Sequence, residues 1–100
     1  MKFEWDGAKN NRNIEKHGLD LSDAQDLFSG EDPFFVSFES SEDHGEDRWK
    51  GIGILKGVIV VVAIFTEKDE DTVRIISLRK AGFSERAAYE KEIKNRFGQG

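Results

Sequence analysis

The spacing of apolar residues predicts a strand and two helices in the first third of the chain. Phe3-Glu4-Trp5 alternates apolar and polar residues, as a short strand does. Asp6 suits the N-cap of a helix over about residues 7–17, and Gly18 suits its end. Asp20 is a second N-cap, followed by apolar residues at helical spacing. This short amphipathic helix contains Leu21, Ala24, Leu27 and Phe28.

From Phe34 onward the apolar period changes to two, which is typical of strands. The segment 58–65 lacks alternation, which favours a central strand covered on both faces. Lys56-Gly57 predicts a tight hairpin, and 67–71 a charged turn. The expected strands cover residues 34–39, 48–55, 58–65 and 72–78.

The last segment predicts one helix, capped by Ser84 and ended by Gly98. Its apolar stripe consists of Tyr89, Ile93 and Phe97. The element order predicts an α+β fold, with a curved antiparallel sheet, two N-terminal helices and one C-terminal helix. We expect residues 1–100 to form a single domain, because this length provides one modest core.

Composition excludes several classes of protein. The chain has no cysteine, so it has neither disulfides nor thiolate zinc sites. Its longest apolar run, Val58–Phe65, is far shorter than the roughly 20 residues of a membrane-spanning helix. The first residues lack the apolar core of a signal peptide. We therefore expect a cytoplasmic protein that does not contact a membrane.

The net charge of −5 argues against a generic nucleic-acid binder, because phosphate contacts need Lys and Arg. The charges are nevertheless segregated: acids crowd 39–47 and 67–71, whereas bases crowd 9–16 and 74–80. This distribution allows a basic patch on an acidic protein. It also allows a basic partner to cover the acidic segments.

The first predicted helix carries a basic stripe of Lys9, Arg12, Asn13 and Lys16. Such a stripe suits a phosphate backbone, although a solvated helix face has the same pattern. His17 at the helix end either caps the helix dipole or transfers protons near neutral pH.

His44 lies among acidic residues, an arrangement that can hold a metal ion. No established ligand spacing is met, so we expect neither a metal nor another cofactor. A small metal-binding domain is the weakest of the functional interpretations.

The later strands carry a second charged set, comprising Glu46, Arg48, Arg74, Arg79 and Lys80. Strand alternation separates Arg79 from Lys80, so one should point to an active face and the other to the rim. Cations beside a carboxylate suit metal-free RNA cleavage, in which the 2′-hydroxyl attacks its own phosphate. A Glu–Arg ion pair at the sheet edge has the same spacing, and the sequence leaves the two open.

Several segments together resemble the BrnT toxin family, in order and at compatible distances over residues 2–90. Lys2–Asp6, followed by Lys9, Asn13 and Lys16-His17-Gly18, is similar to the family's opening signature. Gly45–Arg48 resembles its Gly-Glu-x-Arg segment. Phe65–Glu67 and Val73–Ala81 resemble its paired late strands, and Glu85 and Tyr89 match the helix that follows.

The resemblance implies a RelE-like ribonuclease fold and RNA cleavage that inhibits translation and growth. It also implies a BrnA-type antitoxin that neutralises the toxin in a dimer-based complex. Such antitoxins usually carry a DNA-binding end, so contact with promoter DNA would be indirect. The alternative is a catalytically weak or inactive homologue that serves as an antitoxin-binding module.

The resemblance directs attention to Glu46, Arg48, Arg79, Lys80 and His17 as catalytic candidates. Arg79 and Lys80 would bind the scissile phosphate, Glu46 or His17 would transfer protons, and Arg48 would orient Glu46 or contact phosphate. The RNA-binding candidates are Lys9, Arg12, Lys16 and Arg74. The chain departs from the family pattern at Gly7, where proline is common, and at Leu78, where alanine is more frequent.

Overall fold

A five-stranded sheet organises the computed structural model, which describes residues 1–40 and 46–98. The spatial order of the strands is β1-β5-β4-β3-β2. Strands β2 to β5 form an antiparallel meander. The strands are β1 (Lys2–Glu4), β2 (Phe34–Ser40), β3 (Arg48–Leu55), β4 (Ile59–Asp69) and β5 (Thr72–Lys80).

Strand β1 pairs in parallel with β5, with Phe3 opposite Val73. The sheet is therefore mixed, and the prediction of a fully antiparallel sheet is wrong at this edge. The cause is the long excursion between β1 and β2, through which the chain reaches the opposite edge of the sheet. A three-residue strand carries no pattern that reveals the direction of its partner.

Three α-helices and one 3₁₀ helix connect or follow the strands. They are α1 (Gly7–His17), the 3₁₀ helix Leu21–Ala24, α2 (Gln25–Ser29) and α3 (Phe83–Arg96). Both predicted ends of α1 are confirmed: Asp6 accepts a hydrogen bond from the Lys9 N–H, and Gly18 has a left-handed φ of 70°.

The other two helix predictions need correction. The predicted second helix is divided because Asp20 accepts hydrogen bonds from the N–H and the hydroxyl of Ser22, which tightens its first turn. Helix α3 begins after Gly82 rather than after Ser84. The Glu85 carboxylate accepts the Gly82 N–H at 2.8 Å and so fixes this start.

The helices pack on opposite faces of the sheet. Adjacent side chains of a strand point to opposite faces, so the first two aromatic rings of β2 contact helices on different faces of the sheet. Phe34 contacts Phe28 of α2, whereas Phe35 contacts Tyr89 of α3. We call these the α1–α2 face and the α3 face. The main apolar core lies on the α1–α2 face and includes Leu21, Leu27, Val61, Phe65, Ile75 and Leu78.

Strand β4 lies near the middle of the sheet, as predicted from its unbroken apolar run. Val61, Val62 and Ala63 are all fully buried, although their side chains alternate between the two faces. The strand continues to Asp69, so part of the predicted charged turn belongs to β4. No helix within residues 1–40 and 46–98 has the length and apolar character needed to cross a membrane.

Candidate active site

A carboxylate on α3 binds two cations that project from the sheet. The guanidinium of Arg79 donates to both carboxylate oxygens of Glu85, at 2.7 and 2.8 Å. The Nζ atom of Lys50 lies 3.0 Å from Glu85 Oε2. We call these three residues the Arg79–Glu85–Lys50 cluster. Its side chains are 37%, 20% and 28% exposed, respectively, so a ligand can reach them from solvent.

The strands place these cations by alternation and register. Arg79 pairs with Val62 of β4, and Lys50 pairs with Ile64 of the same strand. Both cations therefore project on the α3 face from strands that flank β4. The β4 residues between the two cations, Val62 and Ile64, are apolar. Glu85 of α3 contacts both cations.

The cluster fixes the protonation of Glu85. Hydrogen bonds from Arg79, then from the Gly82 N–H, and the contact with Lys50 hold the pKa of Glu85 far below its usual range. The carboxylate is therefore ionised at neutral pH and is a weak proton acceptor. The hydrogen bond with Glu85 in turn raises the pKa of Arg79. Glu39 adds a further electrostatic contribution that raises the pKa of Arg79, so a second carboxylate lies near the two cations.

The other candidates from the late strands occupy different places. Arg48 shares the α3 face with Lys50, two residues earlier on β3. Glu46 lines a polar pocket beside Thr66 and Lys68, where β3 begins. Lys80 is exposed at the end of β5 and lines an apolar groove along α3.

Helix α1 packs against β5. Its contact with β5 is made by Asn13, whose amide group donates to the carbonyl of Leu78 at 2.9 Å and accepts the Leu78 N–H at 3.3 Å. The N–H and carbonyl of Leu78 lie in the plane of the sheet, so Asn13 joins α1 to the edge of β5 beyond the residues that pair with β1. His17 ends α1 one helical turn after Asn13 and is half-buried.

The candidate RNA-binding residues fall into two groups. Lys9 and Arg74 line one small pocket with Glu4, Trp5 and Asp6. Arg74 Nε donates to Glu4 at 2.7 Å, so this cation is already paired. Arg12 and Lys16 are exposed on α1.

The proposed metal ligand His44 lies outside the described residues. Among residues 1–40 and 46–98, no group of three or more His, Asp or Glu side chains is arranged to hold a metal ion. The glycine of the predicted Gly-Glu-x-Arg segment, Gly45, also lies outside them.

Lys50 and Glu85 are the functional candidates that the sequence reasoning missed. Lys50 carried a usable signal, because it lies two residues after Arg48 and so shares its face of β3. Glu85 matches the family's last helix and is an acidic residue in the first turn of α3, but neither signal assigned it to a site. Its contact with Lys50 joins residues far apart in the chain, which no local pattern records.

The comparison with known proteins decides the family. A family model described as "Ribonuclease toxin, BrnT, of type II toxin-antitoxin system" matches residues 5–85. The chain belongs to the BrnT family. The 1.1 Å crystal structure of the Brucella abortus ribonuclease toxin BrnT is 32% identical, with a TM-score of 0.62. The alignment covers 82% of this chain and 97% of the Brucella chain. No curated protein matches the sequence.

Membership of the BrnT family has two direct consequences. The three helices and the five-stranded mixed sheet form an α+β fold similar to BrnT, and a type II system implies an antitoxin partner. The stretch that matches the BrnT family model contains Lys50, Arg79 and Glu85.

Proposed function

We propose that this BrnT-family toxin cleaves RNA without a metal ion on the α3 face of its sheet. The observation that supports the site is the Arg79–Glu85–Lys50 cluster, in which a carboxylate fixes two partly exposed cations. Fixed cations stabilise charge that develops on phosphoryl oxygens without reorganising during the reaction.

The proposed reaction is attack of the RNA 2′-hydroxyl on the adjacent phosphorus. The new P–O2′ bond forms as the P–O5′ bond breaks, the 2′-hydroxyl proton passes to the proton acceptor, and O5′ takes a proton from water, leaving a 2′,3′-cyclic phosphate and a 5′-hydroxyl. Arg79 and Lys50 stabilise the non-bridging oxygens, and Glu85 acts by positioning Arg79. Lys80, at the end of the same strand as Arg79, contributes a further phosphate contact at the rim.

The proton acceptor in this proposal is Glu46 or His17. Glu46 precedes the strand that carries Arg48 and Lys50, and His17 ends the helix that Asn13 joins to β5. Arg48 lies between Glu46 and Lys50 in the chain and either orients Glu46 or contacts phosphate. Flanking phosphates bind to Lys9 and Arg74 at the sheet edge, and Arg12 and Lys16 extend that basic surface along α1.

The cellular role that we propose follows from family membership. RNA cleavage inhibits translation and growth, and a BrnA-type antitoxin neutralises the toxin in a dimer-based complex. Contact with promoter DNA occurs only through that antitoxin. We further propose that the fold is related to that of the RelE ribonucleases.

The decisive experiment compares the wild-type chain with Arg79→Ala and Lys50→Ala. Each is induced in a bacterium without the antitoxin, followed by primer extension on total RNA, and each purified protein is assayed on RNA with EDTA. Wild type should arrest growth and produce discrete RNA ends in EDTA. Loss of either cation should slow cleavage by about 100-fold or more, the scale of removing one group that stabilises the transition state.

The matched control is Arg96→Ala. Arg96 is also a surface arginine bound to a glutamate, with its Nε 2.6 Å from Glu92, but it lies outside the cluster. This variant should cleave like wild type. Full cleavage by folded Arg79→Ala would contradict the assigned site, and cleavage that requires added Mg²⁺ would contradict metal independence. Intact RNA and normal growth with folded wild-type protein would instead indicate an antitoxin-binding module without activity.

A further inference from the structure

An apolar groove runs between α3 and the hairpin that joins β3 to β4. Its volume is about 630 Å³, and it opens to solvent. The apolar lining includes Ile54, Val58, Val60 and Ile93. Val58 is 80% exposed, so the groove lacks a cover along the hairpin. We call this surface the α3 groove.

The lining of the α3 groove has a positive formal charge, whereas the whole chain is negatively charged. Lys80, Arg86 and Lys94 line it, against the single carboxylate of Glu90. The groove is thus locally cationic, with a formal charge of about +2 by this count, on a chain whose net charge is −5. An apolar floor with a basic rim complements a ligand that has an apolar face and acidic flanks.

The dimensions of the groove suit a helical segment. Its α3 wall runs from Arg86 to Lys94, which at 1.5 Å per residue is about 12 Å, or two helical turns. An amphipathic helix presents apolar side chains at intervals of three and four residues over such a length. Its flanking carboxylates would then face the rim cations.

We propose that the α3 groove is the docking site for an acidic amphipathic helix of the antitoxin. The inference deepens the proposed function, from which it takes only the existence of an antitoxin partner. Apolar side chains of that helix fill the groove, and its Asp and Glu residues pair with Lys80, Arg86 and Lys94. The wall formed by α3 lies beyond the family-matched stretch, which ends at residue 85.

Protein fits this groove better than RNA does. An apolar ligand gains binding free energy by burying the apolar surface of Ile54, Val60 and Ile93. A phosphate backbone has no apolar group to cover this surface. Docking here also places the partner beside the Arg79–Glu85–Lys50 cluster. Ala81 lines the groove, and Gly82, the next residue, donates its N–H to Glu85.

The test measures the affinity of the purified antitoxin for the purified chain by calorimetry, without RNA. Val58→Asp, and separately the double variant Arg86→Glu/Lys94→Glu, should each weaken Kd by about tenfold or more. Added salt should weaken the wild-type complex for the same electrostatic reason. Hydrogen exchange should show protection of residues 58–60 and 86–94 in the complex. All substitutions are at exposed positions, and circular dichroism verifies the fold.

The controls place matched changes outside the groove. Lys91→Glu changes an exposed lysine of α3, and Val36→Asp changes an exposed valine of the edge strand β2. Both should retain wild-type affinity. Affinity lost in Val36→Asp but kept in Val58→Asp would overturn the proposal in favour of docking at the β2 edge.

Two other occupants are distinguished by parallel measurements. If the charge reversals weaken RNA binding but leave antitoxin affinity intact, the groove is an RNA surface and the proposal is wrong. If the chain alone dimerises in sedimentation and Val58→Asp abolishes only that dimer, the occupant is a second copy. Because affinity is measured without RNA, a wild-type chain that fails to cleave would contradict the proposed function without affecting this test.

Discussion

In the proposed site, Glu85 acts by positioning other groups rather than by transferring a proton. Both of its oxygens are occupied by Arg79, and one of them also contacts Lys50. A carboxylate held in this way stays ionised and neither donates nor accepts a proton in the proposed reaction. Its contribution is the fixed direction of two cations, which would otherwise sample several rotamers at an entropic cost.

We therefore expect Glu85→Gln to reduce RNA cleavage by about tenfold while leaving the fold intact. The amide cannot accept both guanidinium hydrogen bonds, so Arg79 loses its fixed orientation. The free energy of unfolding at pH 7 should fall by about 1–2 kcal/mol, since partial exposure of Arg79 weakens the ion pair. Cleavage assays and urea unfolding measure both effects. Glu92→Gln, which removes an exposed pair on α3, should change neither.

Asn13 has a structural role that its place in a basic helical stripe conceals. It is 8% exposed, and its amide nitrogen also donates to the Leu19 carbonyl at 2.8 Å. Asn13→Ala would leave backbone groups of Leu19 and Leu78 buried without partners. We expect a loss of about 2–4 kcal/mol in unfolding free energy, measured in urea. Asn11→Ala, an exposed neighbour on α1, should differ from wild type by less than about 0.5 kcal/mol.

The positions of the site residues could be predicted only where strand alternation determines them. Alternation within β5 separated Arg79 from Lys80, and the structure places them in different surroundings. The ion pair between Lys50 and Glu85 depends on how α3 crosses the sheet, which no period in the sequence specifies.

At the scale of elements, long periodic segments were predicted well and short ones poorly. The bounds of β3 and the caps of α1 match their predictions, because alternation and capping are local. The second helix was predicted as one segment, yet Asp20 bends its first turn into a 3₁₀ helix. Strand β1 was located correctly, but its parallel partner is supplied by a segment about 70 residues away.

The glycines of β3 allow a tight contact between elements. Gly51 lies beneath the ring of Phe34, and a Cβ atom added at Gly51 would overlap that ring. Gly51→Ala should therefore destabilise the protein by about 2–3 kcal/mol through overpacking. Gly7→Ala is the matched control, because the first residue of α1 has open space around its Cβ position. It should be neutral or stabilise by up to about 1 kcal/mol. Thermal unfolding distinguishes the two.

At the scale of the whole molecule, carboxylates with lowered pKa values determine how the free energy of unfolding depends on pH. Hydrogen bonds to neighbouring groups lower the pKa values of Glu4, Asp6, Asp20, Asp69 and Glu85. Because the unfolded chain binds more protons, each group stabilises the fold fully above its unfolded pKa and loses this contribution as pH falls through the folded value. Urea midpoints should be constant from about pH 6 to 8 and fall below about pH 4. A midpoint that rises in acid would contradict this assignment.

The pairing of β1 with β5 also has a consequence for the order in which the protein is made. Residues 2–4 are synthesised about 70 residues before their partners, residues 72–74, so β1 cannot pair with β5 until that stretch has been made. Closing so large a loop is slow, whereas the β2–β5 meander can form from neighbouring segments. Arg79 and Glu85 are synthesised later still. The Arg79–Glu85–Lys50 cluster therefore cannot assemble until residues 50, 79 and 85 have all been synthesised, which is after most of this sequence.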